Sequence, residues 1–284
     1  MVQKSVLRRW SQTAKLWRDV KPTLKPSAVE VELYEKFLRQ ILKKIKREAL
    51  RVLVLGATPE IRDLLARYKL AVTLLDANPR MMTAMHTLIK IKNHRERAIV
   101  GNWLKMPLTA NSFDLVMSDH PTSSIAYQQL PKFFAEINRV LKPGGHIIID
   151  FHLNAHVRPL TVDGYLAAYR KNRTWFANFD NHTLLYYRVI MGEKRFYNPK
   201  TYRSQWGKLD RQLRYRCEAG KLTKNEYEHL VMGLGEDHIF NFYPKKVLKE
   251  FVGASFKILN EPPIKAHPVY QYYWPCFARS LKKH

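Results

Sequence analysis

The chain has 284 residues, 46% hydrophobic and 12% aromatic, which excludes a disordered protein and suits one large domain or one domain carrying a sizeable insertion. No apolar run approaches the roughly eighteen residues needed to cross a bilayer, and the two cysteines, Cys217 and Cys276, lack metal-ligand spacing, so the chain reads as cytoplasmic, with reduced thiols, no membrane span and no metal site. The net charge of +25 is spread evenly, +13 over residues 1–150 and +12 over 151–284, which excludes a merely basic tail and fits either a polyanionic partner or a general solubility adaptation.

In chain order, a first helix is expected over 8–19. Residues 1–18 hold five basic residues and no acid, as a transit peptide would. Trp10 and Trp17, seven apart, instead mark it as a packed helix of the mature protein. After the link "KPTLKPS", Ser27-Ala28-Val29-Glu30 has the spacing of a capping box. The helix it opens repeats apolar residues at Tyr34, Phe37, Leu38, Ile41, Leu42 and Ile45, one buried face at helical period. Strand and helix then alternate: strands at 52–55, 71–75, 98–100, 113–118 and 146–151, helices at 61–68, 79–92 and 131–141. Such alternation predicts a parallel sheet covered by helices on both faces. From 152 to 240 the rhythm gives way to helices and loops rich in Tyr, Trp, Arg and Lys. A helix over 244–251, a strand over 256–259 and a last strand over 276–281, begun after Pro275 because proline cannot donate to a ladder, close the chain.

The stretch "RVLVLGATPEIRDLL", 51–65, brings a strand into a loop with a single glycine. A dinucleotide site wants three glycines and a P-loop wants Gly-Lys-Ser/Thr. Here Gly56 allows a tight turn, Thr58 suits a helix N-cap, Pro59 the first helical position and Glu60 the first turn. That is a well-built helix start with little room for a pyrophosphate, and it suits a phosphate-free nucleoside such as S-adenosylmethionine (SAM). Asp76, at the end of the second strand, can accept both ribose hydroxyls, as it would for NAD, or can simply make a turn or cap the next helix.

The segments "VGNWLKMPLTANSFDLVMSDH", "RVLKPGG" and "HIFNFYPKKVLKEF", in this order after the Gly56 loop, resemble the class I SAM-dependent methyltransferases, and particularly the group that includes the quinone-biosynthesis methyltransferases. The resemblance covers about 50–152 and 238–282. It implies a Rossmann-like, seven-stranded, mostly parallel sheet with helices on both faces, plus N-terminal helices and a helical insertion. It divides the chain into N-terminal helices over the cofactor site (1–50), a SAM-binding core (51–151), a basic helical insertion serving as substrate lid (152–240), and a closing helix and strands (241–284). It further implies that Gly56, Ala57 and Thr58 line the methionine end of SAM, that Asp76 and Ala77 hold the ribose, that Asn102 and Trp103 hold adenine, and that Ser118 flanks the methionine. The usual residue at position 102 is Asp, and the Asn102 amide oxygen can replace it as acceptor.

On the substrate side, "SDHPT" stands where relatives that modify adenine or glutamine carry Asn/Asp-Pro-Pro-Tyr. His120 stands at the second position and Thr122 at the fourth, so the stacking aromatic is missing and amino-group methylation of adenine or glutamine through that motif is not expected. His120 and His152 lie just past strand ends and are the candidate catalytic bases. Asp119, Trp10 and Trp17 are candidate substrate or lid residues. The stretch 195–216, "RFYNPKTYRSQWGKLDRQLRYR", has seven basic residues and one acid among five aromatics. It reads either as a platform for single-stranded nucleic acid or as a helical lid whose aromatics pack inward, the second being favoured. The expected activity is methyl transfer from SAM to a small-molecule acceptor, with RNA as the alternative acceptor and a non-catalytic binding module of the same fold as the contrasting class. An NAD-dependent oxidoreductase is disfavoured by the loop.

Overall fold

The computed structural model describes residues 25–155, 158–231 and 239–283. The expected first helix, with Trp10 and Trp17, lies outside the described residues. Helix α1, Ala28–Leu42, starts at the expected capping box: the Glu30 backbone N–H donates to Ser27 Oγ at 3.3 Å, and Glu30 Oε2 accepts from the Ser27 backbone N–H at 2.9 Å. Its face of Tyr34, Phe37, Leu38 and Ile41 is buried.

Seven strands form one sheet: β1 (Arg51–Leu55), β2 (Ala71–Asp76), β3 (Glu96–Val100), β4 (Phe113–Asp119), β5 (Leu141–His152), β9 (Phe256–Asn260) and β10 (Tyr273–Ser280), in the order β3-β2-β1-β4-β5-β10-β9. The pairs from β3 to β5 are parallel, and β10 runs antiparallel to both neighbours. Helices α2 (Pro59–Arg67), α3 (Pro79–His86), α4 (Leu130–Val140) and α10 (Lys245–Gly253) cover it. Strand periodicity assigns the two faces. Val52, Val54, Val72 and Leu74 pack with α1, α2 and α3, while Leu53, Leu55, Leu75 and Val116 pack with α4 and α10.

Between β5 and β9 lie α5 (Val162–Lys171), α6 (Arg173–Ala177), α7 (Phe179–Gly192), α8 (Trp206–Glu218) and α9 (Lys224–Leu230) around a second core that includes Tyr165, Tyr186, Tyr187, Trp206 and Phe242. This region was expected to hold helices and loops only. It also holds a three-stranded antiparallel sheet of β6 (Tyr197–Asn198), β7 (Arg203–Gln205) and β8 (Ile239–Asn241), strands too short for an alternation signal. Asn241 Nδ2 donates to the carbonyls of Ser123 and Ile125 at 3.1 and 3.0 Å, which fastens this sheet to the segment following β4.

Three expected boundaries move, each for a local reason. Helix α3 stops at His86 rather than Lys92, because the backbone N–H groups of Lys90 and Ile91 donate to Asp63 Oδ1 and so leave the helical ladder. Strand β5 starts at Leu141, paired with Phe113, and the Lys-Pro-Gly-Gly run lies where the register shifts before pairing resumes at His146; Gly144 there sits at φ +69°. Strand β10 starts at Tyr273 and includes Pro275, opposite Asp150. Strand β9 pairs only from Phe277 onward, so at Pro275 the strand has a single neighbour and tolerates a missing donor.

Candidate functional site

Two groups of side chains meet at the carboxyl edge of the sheet, one on each side of the β1 end. The first belongs to β1–β2–β3. Gly56 sits at φ +104°, a conformation closed to most side chains, and its N–H donates to Leu75 O at 2.9 Å. The Trp103 indole N–H donates to the same carbonyl at 2.8 Å, and a Cβ on Gly56 would stand 4.0 Å from the ring. Trp103 therefore lies across the Gly56 turn. Thr58 occupies the N-cap position of α2, but its hydroxyl makes no capping bond, contrary to expectation; its backbone is at φ −52° and ψ 115°, outside the usual N-cap region. Ala57 is buried beside it.

Asp76 ends β2. Its Oδ1 accepts from the Asn78 N–H at 2.8 Å, and Ala77 adds a backbone bond. Burial pushes the carboxyl up to about 6, against those two bonds. Asn78, rather than Asp76, caps α3, through Met81 N–H at 3.1 Å. Asn102 uses its amide oxygen on the Leu104 N–H at 2.9 Å, so a ligand would meet the second lone pair of that oxygen or the amide donors. The donor set of one carboxylate, one amide, an indole and the backbone of a glycine turn fits an adenosine with no phosphates. Ser118 differs from expectation. It is 1% exposed and its hydroxyl donates to Leu55 O at 2.8 Å, so the side chain ties β4 to β1 within the sheet.

The second group belongs to β4, β5 and α1. His120 follows β4 in a left-handed conformation, φ 47° and ψ 40°, held by its N–H donating to Asp150 O at 2.9 Å and by Ser123 Oγ donating to its carbonyl at 2.7 Å. The fold thus brings together the two histidines chosen from sequence: the rings of His120 and His152 stack at 3.6 Å. Burial holds both imidazoles well below their ordinary range, His152 down to about 3, and the neighbouring ring adds to the effect on His120. Both are therefore neutral near pH 7. His120 Nδ1 lies 3.5 Å from Asp119 Oδ1, and His120 Nε2 lies 3.9 Å from Asp150 Oδ2.

Sequence reasoning missed Glu30, Tyr34 and Asp150 here. Tyr34 donates to Asp119 Oδ1 at 3.1 Å. Burial, followed by the neighbouring carboxyls, raises Asp119 and Asp150 well above the carboxylate range, and burial raises Glu30 against the bonds from Ser27. The capping-box pattern was visible, but it accounts for only one Glu30 oxygen. No sequence signal placed the other beside β4 and β5.

The basic aromatic stretch resolves mostly as the inward-packed alternative. Phe196, Tyr197 and Trp206 are buried, Tyr202 packs on Tyr127 and Tyr243, and Tyr215 is exposed. Among the described residues no helix is long and apolar enough to cross a membrane, and Cys217 and Cys276 are free thiols.

Residues 53–149 match the model of a methyltransferase domain family. No curated protein matches the chain. Among solved structures, a Rhodobacter sphaeroides protein described as a Zn-dependent alcohol dehydrogenase aligns at 12% identity over 99% of this chain and 100% of that chain, with a TM-score of 0.61. The N-methyltransferase NodS from Bradyrhizobium japonicum WM9, in complex with S-adenosylhomocysteine (SAH), aligns at 14% identity over 96% and 100%, with a TM-score of 0.54. The PH0226 protein of Pyrococcus horikoshii OT3 aligns at 15% identity over 93% and 98%, with a TM-score of 0.52. At these identities the likeness is one of fold. Residues 53–149 thus carry a methyltransferase-family domain, set in a seven-stranded sheet whose one reversed strand is β10 and opening on the Gly56 turn.

Proposed function

We propose that the enzyme methylates a small molecule, with SAM held on the β1–β2–β3 side of the β1 end and the acceptor on the β4–β5 side. SAM supplies an activated methyl group on a sulfonium. The Asp76 carboxylate accepts the ribose hydroxyl protons, Asn102 and Trp103 meet the adenine, and the backbone of Gly56, Ala57 and Thr58 meets the methionine end. With the Thr58 hydroxyl not engaged as a cap, the first turn of α2 remains able to meet a carboxylate.

The observation that carries the acceptor side is the stacked, neutral pair His120–His152 at the ends of β4 and β5, the two strands beyond β1. Methyl transfer chiefly needs an in-line nucleophile in a water-poor site, with somewhere for its proton to go. A neutral imidazole offers that lone pair, and the aromatic walls of Tyr273 and Phe242 exclude water. A small acceptor is favoured over RNA because most aromatics of the basic stretch face the second core. We also take the protein to be cytoplasmic, in keeping with its two free thiols.

Calorimetry with SAM and SAH tests the cofactor half, and transfer of a labelled methyl group to panels of phenols, carboxylic acids and amines tests the acceptor half. Absence of SAM and SAH binding at near-millimolar ligand removes the reading. The charge of +25 and the exposed Tyr215 on α8 favour the second reading, an RNA acceptor. A gel shift with tRNA or rRNA fragments that weakens steeply with salt would establish it in place of the first.

A further inference from the structure

The inner side of the β4–β5 cluster gathers polar groups that methyl transfer does not use. Glu30, Asp119 and His120 each offer one ligand atom, and these atoms all lie within 4.8 Å of one another. Glu30 spends Oε2 on the Ser27 N–H and on Ser27 Oγ, at 2.9 and 2.7 Å, while Oε1 is buried without a partner. His120 Nε2 is likewise buried without a partner, in a residue only 6% exposed, and it points toward Asp150 Oδ2. The fully buried Asp150 has only the Glu30 carboxyl and the Phe151 backbone N–H beside its oxygens, and neither contact is a well-formed hydrogen bond. Leaving this many polar atoms unsatisfied costs a folded protein on the order of 1–3 kcal/mol each.

The influences on the three carboxyls are burial, one another, the further carboxyls of Glu60 and Asp180, and bonds from Ser27, Tyr34 and the Phe151 backbone; none is a lysine or arginine, although the chain carries 49 of them. A small cation is the ligand this arrangement lacks. The imidazole nitrogen argues for a transition metal over calcium or magnesium, which prefer oxygen alone. A tetrahedral ion with bonds of about 2 Å holds its ligand atoms about 3.3 Å apart, so the cluster needs to close by an ångström or so. Two bonds already act as the outer hydrogen bonds that orient metal ligands: Tyr34 to Asp119, and Ser27 to Glu30.

We propose that Glu30, Asp119 and His120, backed by Asp150, bind one divalent transition-metal ion of the zinc type. The site joins α1 to the ends of β4 and β5. It leaves His152, whose Nε2 lies 3.5 Å from the Tyr187 hydroxyl, as the imidazole of the stacked pair outside the cation site. The inference does not depend on the assignment of the SAM crevice.

The test uses the full chain, stripped with a chelator and dialysed, then titrated with Zn²⁺ and with Co²⁺ as a spectroscopic probe. The expected result is one ion per chain at micromolar affinity or tighter, a visible Co²⁺ absorption band displaced by Zn²⁺, and a raised melting temperature. Glu30→Gln keeps the capping box, in which glutamine also serves, and is expected to weaken binding by about a hundredfold, as is Asp119→Asn. Tyr34→Phe removes only an orienting bond and is expected to weaken binding about tenfold. It keeps the test valid if Asp119→Asn fails to fold. Absence of one-to-one binding below millimolar metal, or affinity unchanged in Glu30→Gln and Tyr34→Phe, overturns the proposal. SAH affinity measured alongside separates this failure from failure of the methyl-transfer reading.

Discussion

The two sides of the β1 end solve different problems with similar residues. On the β2–β3 side, Asp76, Asn78 and Asn102 each take a backbone N–H two or three residues ahead, so the turn organises itself. On the β4–β5 side, Glu30, Asp119, His120, Asp150 and His152 are collected from three elements, and buried polar atoms among them lack partners. A turn that satisfies itself needs no ligand to fold. A cluster that does not satisfy itself stores an affinity for whatever completes it, a proton, a cation or a substrate. In the proposed reading, the difference separates the place that holds the cofactor from the place that does the chemistry.

The sharpest way to break this division is to remove one side and read both. With an acceptor found in the panel, His152→Gln is expected to lower kcat by about a hundredfold, within the range for loss of a general base, and to leave SAH affinity within about threefold. Loss of SAH binding on the same scale would mean that the two sides form one site. On the other side a structural control is available. Arg62, 2% exposed, holds Glu96 by Nε and Nη2 at 3.0 and 2.6 Å, joining α2 to β3. Glu96→Gln leaves a buried guanidinium short of its partner and is expected to cost about 3 kcal/mol in urea unfolding. An effect under about 1 kcal/mol would show that solvent or His86, 3.0 Å from Arg62 Nη2, compensates.

Asp76 gives a smaller effect with a definite sign. Asp76→Ala is expected to weaken SAM binding tenfold or more, through loss of charge-assisted hydrogen bonds. Ribose binding needs the ionised carboxyl, and burial places its titration at about 6. SAM affinity should therefore fall roughly tenfold from pH 7 to pH 5, and Asp76→Asn should abolish that slope. The ligand-free protein moves the opposite way. A carboxyl whose folded pKa is raised binds its proton more tightly folded than unfolded, so its contribution to stability grows as pH falls from about 6 toward the unfolded value. A pH-independent SAM affinity would take Asp76 out of the site.

What was legible in the sequence follows from the range of the interactions. The sheet and its helices were readable because periods of 2 and 3.6 are local, as was the capping box of α1, and Gly56 and Asp76 because a turn declares itself within a few residues. His120 and His152 were readable as strand-end residues, but not their stacking, which depends on the left-handed backbone at His120. Asp150 read as part of "HIIIDF", one polar residue in an apolar strand, and Glu30 as a helix cap. Their meeting joins residues 120 apart in sequence, and no spacing rule reaches that far. The short strands β6, β7 and β8 escaped for the opposite reason, being too brief for any period to show.

The smallest expected effect tests the unsatisfied side most directly. In the metal-stripped protein, Asp150 is a carboxyl with no exposed surface, raised by burial and by Glu30 and Asp119. Asp150→Asn removes one of three crowded negative groups and supplies two N–H donors to the other two. Stability in urea should rise by about 1 kcal/mol, because the cost of crowding is larger than the loss of an oxygen whose one nearby donor is the Phe151 backbone N–H. The same substitution takes away the carboxylate behind the cation site, so the melting increase on adding Zn²⁺ should shrink. A destabilised stripped protein would show that Asp150 is already held by a favourable partner, and the β4–β5 side would then be no less self-satisfied than the Asp76 turn.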